Sequence, residues 1–244
     1  MNKNSTKLLF LSCGDVLYEN GYKTRLFGEM RLVSKFQQYE KYFVTFEKKQ
    51  SYDLRTREIP VIEKELRDLG FKTTIVSREN RYKLDSLLDA WKFRKIMKDL
   101  DFSKGIIHAQ SIYACYMALL ARGNNKDIKV IFDMHGLVGP ELIEQKVFAP
   151  MRWITAWVEK KCIKDSDHII TASNSMKNYL VETYKKNNAM VLPCLSNEEI
   201  FSKVDFGNTR NNRKRFHIPT NQKVAVYLGG MQKWQNFYVL KKIS

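Results

Sequence analysis

The residues best suited to chemistry lie where apolar runs stop. Lys129-Val-Ile-Phe-Asp-Met-His-Gly136 is an apolar strand pattern that ends in Asp133, His135 and Gly136. Three further runs end in polar groups: Ile106-Ile-His-Ala-Gln-Ser111, His168-Ile-Ile-Thr-Ala-Ser173 and Met190-Val-Leu-Pro-Cys194. In an open parallel sheet, ligands bind outside the carboxyl ends of the strands, so polar residues at successive tips describe a site. His135 could donate to a sugar hydroxyl or a phosphate, or act as a base near neutral pH. A structural histidine capping a helix that starts near Pro140 explains the same residue equally well. His108 lies inside its strand pattern and reads as a satisfied core or near-site polar residue.

After the first strand, Gly21-Tyr-Lys-Thr-Arg25 leads into a helix expected to begin at Thr24. Gly21 would let a backbone approach a ligand, the helix amino end offers N–H groups to an anion, and Lys23 and Arg25 add charge. An ordinary strand-to-helix loop is the simpler account. Neither GxGxxG nor GxxxxGK[ST] occurs, which removes the dinucleotide fingerprint and the P-loop. Ser173 and Asn174 stand between a strand and a helix, where amino-capping explains them fully and a ligand contact would be an addition. In the helix pattern Arg152–Lys164, Trp153 and Trp157 share a face with Lys161 and Lys164, with Lys160 at its edge. Tryptophan beside lysine suits an anionic membrane surface; the simpler arrangement turns the rings inward under the lysine stems.

The elements that must position these groups alternate along the chain. Strand patterns cover Leu8–Cys13, Tyr42–Glu47, Lys72–Ser77, Gly105–Gln110, Lys129–Met134, His168–Ala172, Met190–Pro193 and Val224–Leu228. Most are continuously hydrophobic, as strands covered on both faces are. Between them run helix patterns with apolar stripes at Leu26, Met30 and Val33, and at Leu84, Leu88 and Trp91. Pro60 marks a first helical turn and Gly70 a stop. The alternation specifies α/β: a doubly wound, mostly parallel Rossmann-like sheet with helices on both faces and right-handed crossovers. Residues 1–201 form this unit, 202–221 read as a polar basic linker, and 222–244 as the start of a second α/β domain that is cut off.

Lys plus Arg number 42 against 26 Asp plus Glu, leaving a net charge of +16. That excess favours an anionic partner without choosing among phosphate, nucleic acid and membrane. Asn208–His217 is a basic patch without the interleaved aromatics of an RNA module, which argues for a solvated linker and against nucleic acid. Cys13, Cys115, Cys162 and Cys194 show no metal-ligand spacing, so reduced thiols and no metal are expected. No run of roughly twenty apolar residues is long enough to span a membrane. Leu8–Leu11 is too short for a signal-peptide core, which points to the cytoplasm.

In order and spacing, these pieces resemble the amino-terminal half of a family-4 glycosyltransferase of the GT-B fold. The resemblance runs through Gly21–Arg25, Asp133-Met-His-Gly136, Glu159 before Asp165–Ser173, Pro193–Phe201 and Tyr227-Leu-Gly-Gly-Met-Gln-Lys-Trp-Gln235. It implies two Rossmann-like domains across a cleft, a UDP- or GDP-linked sugar donor, a saccharide or lipid-linked acceptor, retention at the anomeric carbon, and no metal. His135 would lie near the transferred sugar as the catalytic residue and Gly21 near the donor diphosphate, with Gly229, Gly230, Trp234 and Gln235 opening the donor side. The family's paired-glutamate motif has no counterpart in these 244 residues. An acceptor-binding or membrane-binding half, or an inactive fragment, is therefore the competing expectation. The implied setting is surface polysaccharide synthesis at the inner face of a membrane.

Overall fold

The computed structural model describes residues 5–14, 16–79, 85–138, 142, 148–194, 209–224 and 226. Seven parallel strands form one sheet: β1 (Thr6–Ser12), β2 (Tyr39–Lys48), β3 (Phe71–Arg78), β4 (Gly105–Gln110), β5 (Ile128–Met134), β6 (His168–Thr171) and β7 (Ala189–Val191). Their order is β3-β2-β1-β4-β5-β6-β7, so the winding direction reverses between β1 and β4. The crevice at such a reversal is where open α/β sheets bind ligands.

Strand residues alternate between two cores. Leu9, Leu11, Ile107, Ala109, Val130 and Phe132 face α4 (Asp85–Asp99), α5 (Ser111–Arg122), α6 (Ala149–Asp165) and α7 (Asn174–Tyr184). Leu8, Phe10 and Phe43 face the other way, onto α1 (Gly21–Ser34) and α3 (Glu58–Asp68). Beside α1, the same sheet face opens into a cavity of about 360 Å³ walled by Phe10, Ile106, Ile131, Ile170 and Leu192, with Glu29 and His108 at its edge.

The seven expected strands upstream of the linker are all present, within a few residues of their expected ends. Of the eighth, Val224–Leu228, only Val224 and Val226 are among the described residues. The helices differ from expectation in several places. Helix α1 starts at Gly21, not Thr24, because the Asn20 side chain accepts from the Lys23 N–H and closes the first turn. A short helix, α2 (Lys49–Leu54), extends β2 directly. Of the stripe expected for α4, Leu84 lies outside the described residues and the rest is wrongly phased: Leu88 and Trp91 are 58% and 63% exposed, and the core takes Ala90, Phe93 and Met97. Within the expected linker, Thr209–Arg215 forms a helical turn, α8, whose neighbour Pro219 accepts from the Arg213 guanidinium at 2.7 Å.

Gly70 ends α3 with φ +82°, its N–H donating to the Arg67 carbonyl. Gly105 opens β4 with φ +147°, and a Cβ there would lie 2.5 Å from the Lys7 carbonyl oxygen of the adjoining strand. Gly105→Ala is expected to cost about 1–3 kcal/mol, measured as a lower urea midpoint with an unchanged slope.

Candidate functional site

Arg25 organises the carboxyl end of the sheet. Side chains on α1 recur every three to four residues, so Arg25 and Glu29 share the inner face with the buried residues Leu26 and Met30. The Arg25 guanidinium donates to both carboxylate oxygens of Asp133, Nε to Oδ2 at 3.0 Å and Nη2 to Oδ1 at 2.9 Å. Nη1 reaches the carbonyls of Leu192 and Pro193 just beyond β7, at 2.9 and 3.3 Å. Nε also lies 3.2 Å from Glu29 Oε1. One side chain thus joins α1 to the tips of β5 and β7. Arg25 is buried and already paired, so it is not a cation waiting in the loop.

Around this pair sit further polar groups. His135 Nε2 lies 2.5 Å from Gln110 Oε1 and 3.2 Å from Asp133 Oδ2. The Gln110 amide donates to Glu29 Oε2 at 2.7 Å. His108 Nε2 approaches Glu29 Oε2 at 3.7 Å and Asp133 Oδ2 at 4.0 Å. The Tyr22 ring lies tilted against the His135 ring, 5.0 Å between centres, and its hydroxyl is 2.8 Å from Ser12 Oγ. Ser12 and Gln110 end β1 and β4, so the network straddles the reversal of winding.

Burial would push the Asp133 carboxyl up, but hydrogen bonds from His135 and Arg25 outweigh it and hold the group below the usual carboxylate range. Glu29 goes the other way, to about 8, through burial first and then the neighbouring Asp133 charge. His108 is pushed down to about 4 by burial, which outweighs the attraction of Asp133. At neutral pH one carboxylate therefore faces one guanidinium, while Glu29 and His108 are largely uncharged. Ligand atoms of Glu29, His108 and Asp133 lie within 4.8 Å of one another, a metal-like cluster. Here the guanidinium sits against both carboxylates, and a second cation would be opposed by its charge.

Of the residues singled out from sequence, Arg25, Asp133 and His135 form one constellation. Gly21 is the first residue of α1, next to Tyr22, and a Cβ placed on it would meet nothing within 4 Å. Lys23 pairs with Glu19 and lies over the Phe27 ring. Gly136 follows His135 at the end of β5. Ser173 caps α7, accepting from the Met176 N–H, and Asn174 begins that helix; neither joins the network. Gly229, Gly230, Trp234 and Gln235 lie outside the described residues. Sequence reasoning passed over Tyr22, Glu29 and Gln110. Glu29 was visible one helical turn after Arg25, and Gln110 two positions after His108 on the same side of a strand.

The tryptophans of α6 lie outside the core, although the Trp157 ring meets the Tyr116 ring of α5 edge-on at 6.0 Å. Its buried face is Thr155, Val158, Glu159, Cys162 and Ile163. Trp153 and Trp157 are 77% and 55% exposed on the opposite side, with Lys160 and Lys164 exposed in line with them and Lys161 partly held by Asp165. Among the described residues no helix is long and apolar enough to cross a membrane.

The sequence pattern of Glycosyltransferase Family 4 matches residues 67–195, more than half of the 244 residues. No curated protein sequence matches the chain. Among solved structures, it resembles a glycosyltransferase from Rickettsia africae ESF-5 (TM-score 0.55, 15% identity, 98% of this chain and 58% of that one). It also resembles sucrose-phosphate synthase from Thermosynechococcus elongatus (0.61, 15%, 96% and 58%). A third is Anabaena HepE in complex with UDP and glucose (0.60, 12%, 97% and 57%). At these identities the likeness is one of fold. The chain spans about 58% of the length of the first two structures.

The shifted groups give the site a pH signature. Folded Glu29, at about 8 against a usual 4.5, keeps a proton that the unfolded chain has released, so its contribution fades as pH rises between those values. His108, at about 4 against 6.5, acts in the opposite sense and only below 6.5. Stability should therefore fall from pH 6.5 to pH 8, and Glu29→Gln should flatten that slope in urea titrations. An equal slope in both proteins would remove Glu29 as its source.

Proposed function

Because the chain belongs to Glycosyltransferase Family 4, we propose that it forms the acceptor-side half of a retaining glycosyltransferase. It would move a hexosyl group from a UDP- or GDP-linked sugar to a saccharide or lipid-linked acceptor in surface polysaccharide synthesis. The observation that carries this reading is the Arg25–Asp133–His135 network at the carboxyl end of β5, joined through Gln110 to the end of β4 beside the reversal of winding. It fixes an imidazole beside the amino end of a 14-residue helix, where backbone N–H groups favour an anion. His135 would contact the transferred sugar. The α1 amino end at Gly21 would face the diphosphate, whose leaving oxygen gathers negative charge as the glycosidic bond breaks. No step in this scheme requires a metal.

The test is sugar transfer from a panel of UDP- and GDP-sugars to membrane extract. The chain would be assayed alone and in a longer form carrying a donor-binding domain after residue 244. Transfer is expected from the longer form, with His135→Ala slowing it by about ten- to a hundredfold. Transfer by neither form would leave an acceptor-binding module or an inactive fragment.

The outward Trp153 and Trp157, lined up with Lys160 and Lys164, favour an anionic membrane as the surface where the acceptor is met, on the cytoplasmic side. Indole rings sit at headgroup depth while lysines reach phosphates, each contributing about 1 kcal/mol near the surface. Vesicles containing phosphatidylglycerol should sediment the chain in a salt-sensitive way, and phosphatidylcholine vesicles should not. Replacing both tryptophans with alanine should weaken binding by at least about tenfold. Equal binding by that variant would remove α6 as the contact.

A further inference from the structure

His135 has two ring nitrogens, and the structure distinguishes them. Among the described residues, both of its polar contacts are made by Nε2, at 2.5 Å to Gln110 Oε1 and 3.2 Å to Asp133 Oδ2. Asp133 breaks the symmetry of the problem. Two guanidinium N–H groups hold it as a carboxylate, which can only accept hydrogen bonds. A lone pair on Nε2 would face that carboxylate repulsively, so Nε2 carries the hydrogen. The Gln110 oxygen then also faces Nε2 as acceptor, and its amide nitrogen is turned to Glu29 Oε2 at 2.7 Å. The donors and acceptors are mutually consistent: Arg25 and His135 both donate to Asp133, His135 also faces the Gln110 oxygen, and the Gln110 amide donates to Glu29.

We propose that Gln110 is a positioning residue that holds His135 as its Nε2–H tautomer, leaving Nδ1 as the nitrogen that accepts a hydrogen bond from a substrate hydroxyl. This rests on the glycosyltransferase reading for the identity of the substrate but not for the state of the ring. It chooses between the roles open to His135: an Nδ1 without a hydrogen takes a hydrogen bond from a sugar hydroxyl and does not donate one to phosphate. The Tyr22 ring, packed at 5.0 Å, limits rotation of the imidazole away from this orientation. Gln110 ends β4, whose pairing with β5 places it opposite Asp133 in register. The two acceptors of the Nε2 hydrogen are therefore set by adjacent strands.

The experiment is nitrogen-15 correlation spectroscopy of the histidine side chains in the full chain at neutral pH, with His135 assigned by its loss in His135→Gln. A protonated Nε2 and an unprotonated Nδ1 are expected. Gln110→Met removes the closer acceptor at similar volume and should raise the Nδ1–H share about fivefold, as the loss of one ordinary hydrogen bond predicts. Gln110→Glu restores an acceptor facing the ring and should keep Nε2 protonated, with its backbone spectrum reporting that the fold is intact. An Nδ1–H ring in the parent protein, or a tautomer ratio unchanged in Gln110→Met, would overturn the assignment. Because the readout is the ring itself, an inactive chain with an Nε2–H imidazole would count against the transferase reading alone.

Discussion

The two-pronged contact between Arg25 and Asp133 is the constraint on which the rest of the site depends. Both side chains are buried, and each would be strongly destabilising there without the other. The pair cannot form until α1 has docked beside β1 and the β5 tip has come into register with β4. Arg25 also takes the carbonyls beyond β7, so three separate stretches of chain converge on one guanidinium. This explains why a helix that could have been held by apolar packing alone carries charged groups on its inner face. An apolar face would bind as tightly but would not select one azimuth, whereas a planar guanidinium accepts a carboxylate only edge-on.

Around that pair, the remaining titratable groups shed charge. Glu29 tends to hold its proton and His108 to lack one, because burial disfavours a second charge of either sign. The result is a nearly neutral shell around a single ion pair, with His135 as the half-buried group that reaches outward. A site built this way presents an oriented imidazole beside a carboxyl group that still holds most of its proton at neutral pH.

How much of this was legible in sequence depends on the range of the interaction. The strands announced themselves because a parallel strand covered on both faces must be apolar throughout, as Leu8–Leu11 and Val130–Phe132 are. Helix α1 was legible in its stripe but not in its start, which turns on one Asn20 cap. Helix α4 was misread because its inner side begins with the small Ala90, while the larger Leu88 and Trp91 point outward and dominate any apolar count. The polar tips named Asp133 and His135, yet the Arg25 partner lies 108 positions away, and no local pattern ties the two. Gln110 stood in plain view but its meaning is relational: it matters through what lies across the strand from it.

The two ends of the sheet bear on how the protein behaves among its own copies. Among the described residues the sheet does not close, which leaves β3 and β7 as its edges, and unpaired edges can recruit another chain. Here β7 is only three residues long, too short to template much pairing. At the opposite end, β3 carries Lys72 and Arg78, and Lys72 is paired with Glu40 on the neighbouring strand. One edge is blunted by brevity and the other by charge, so growth of the sheet from molecule to molecule is discouraged at both ends.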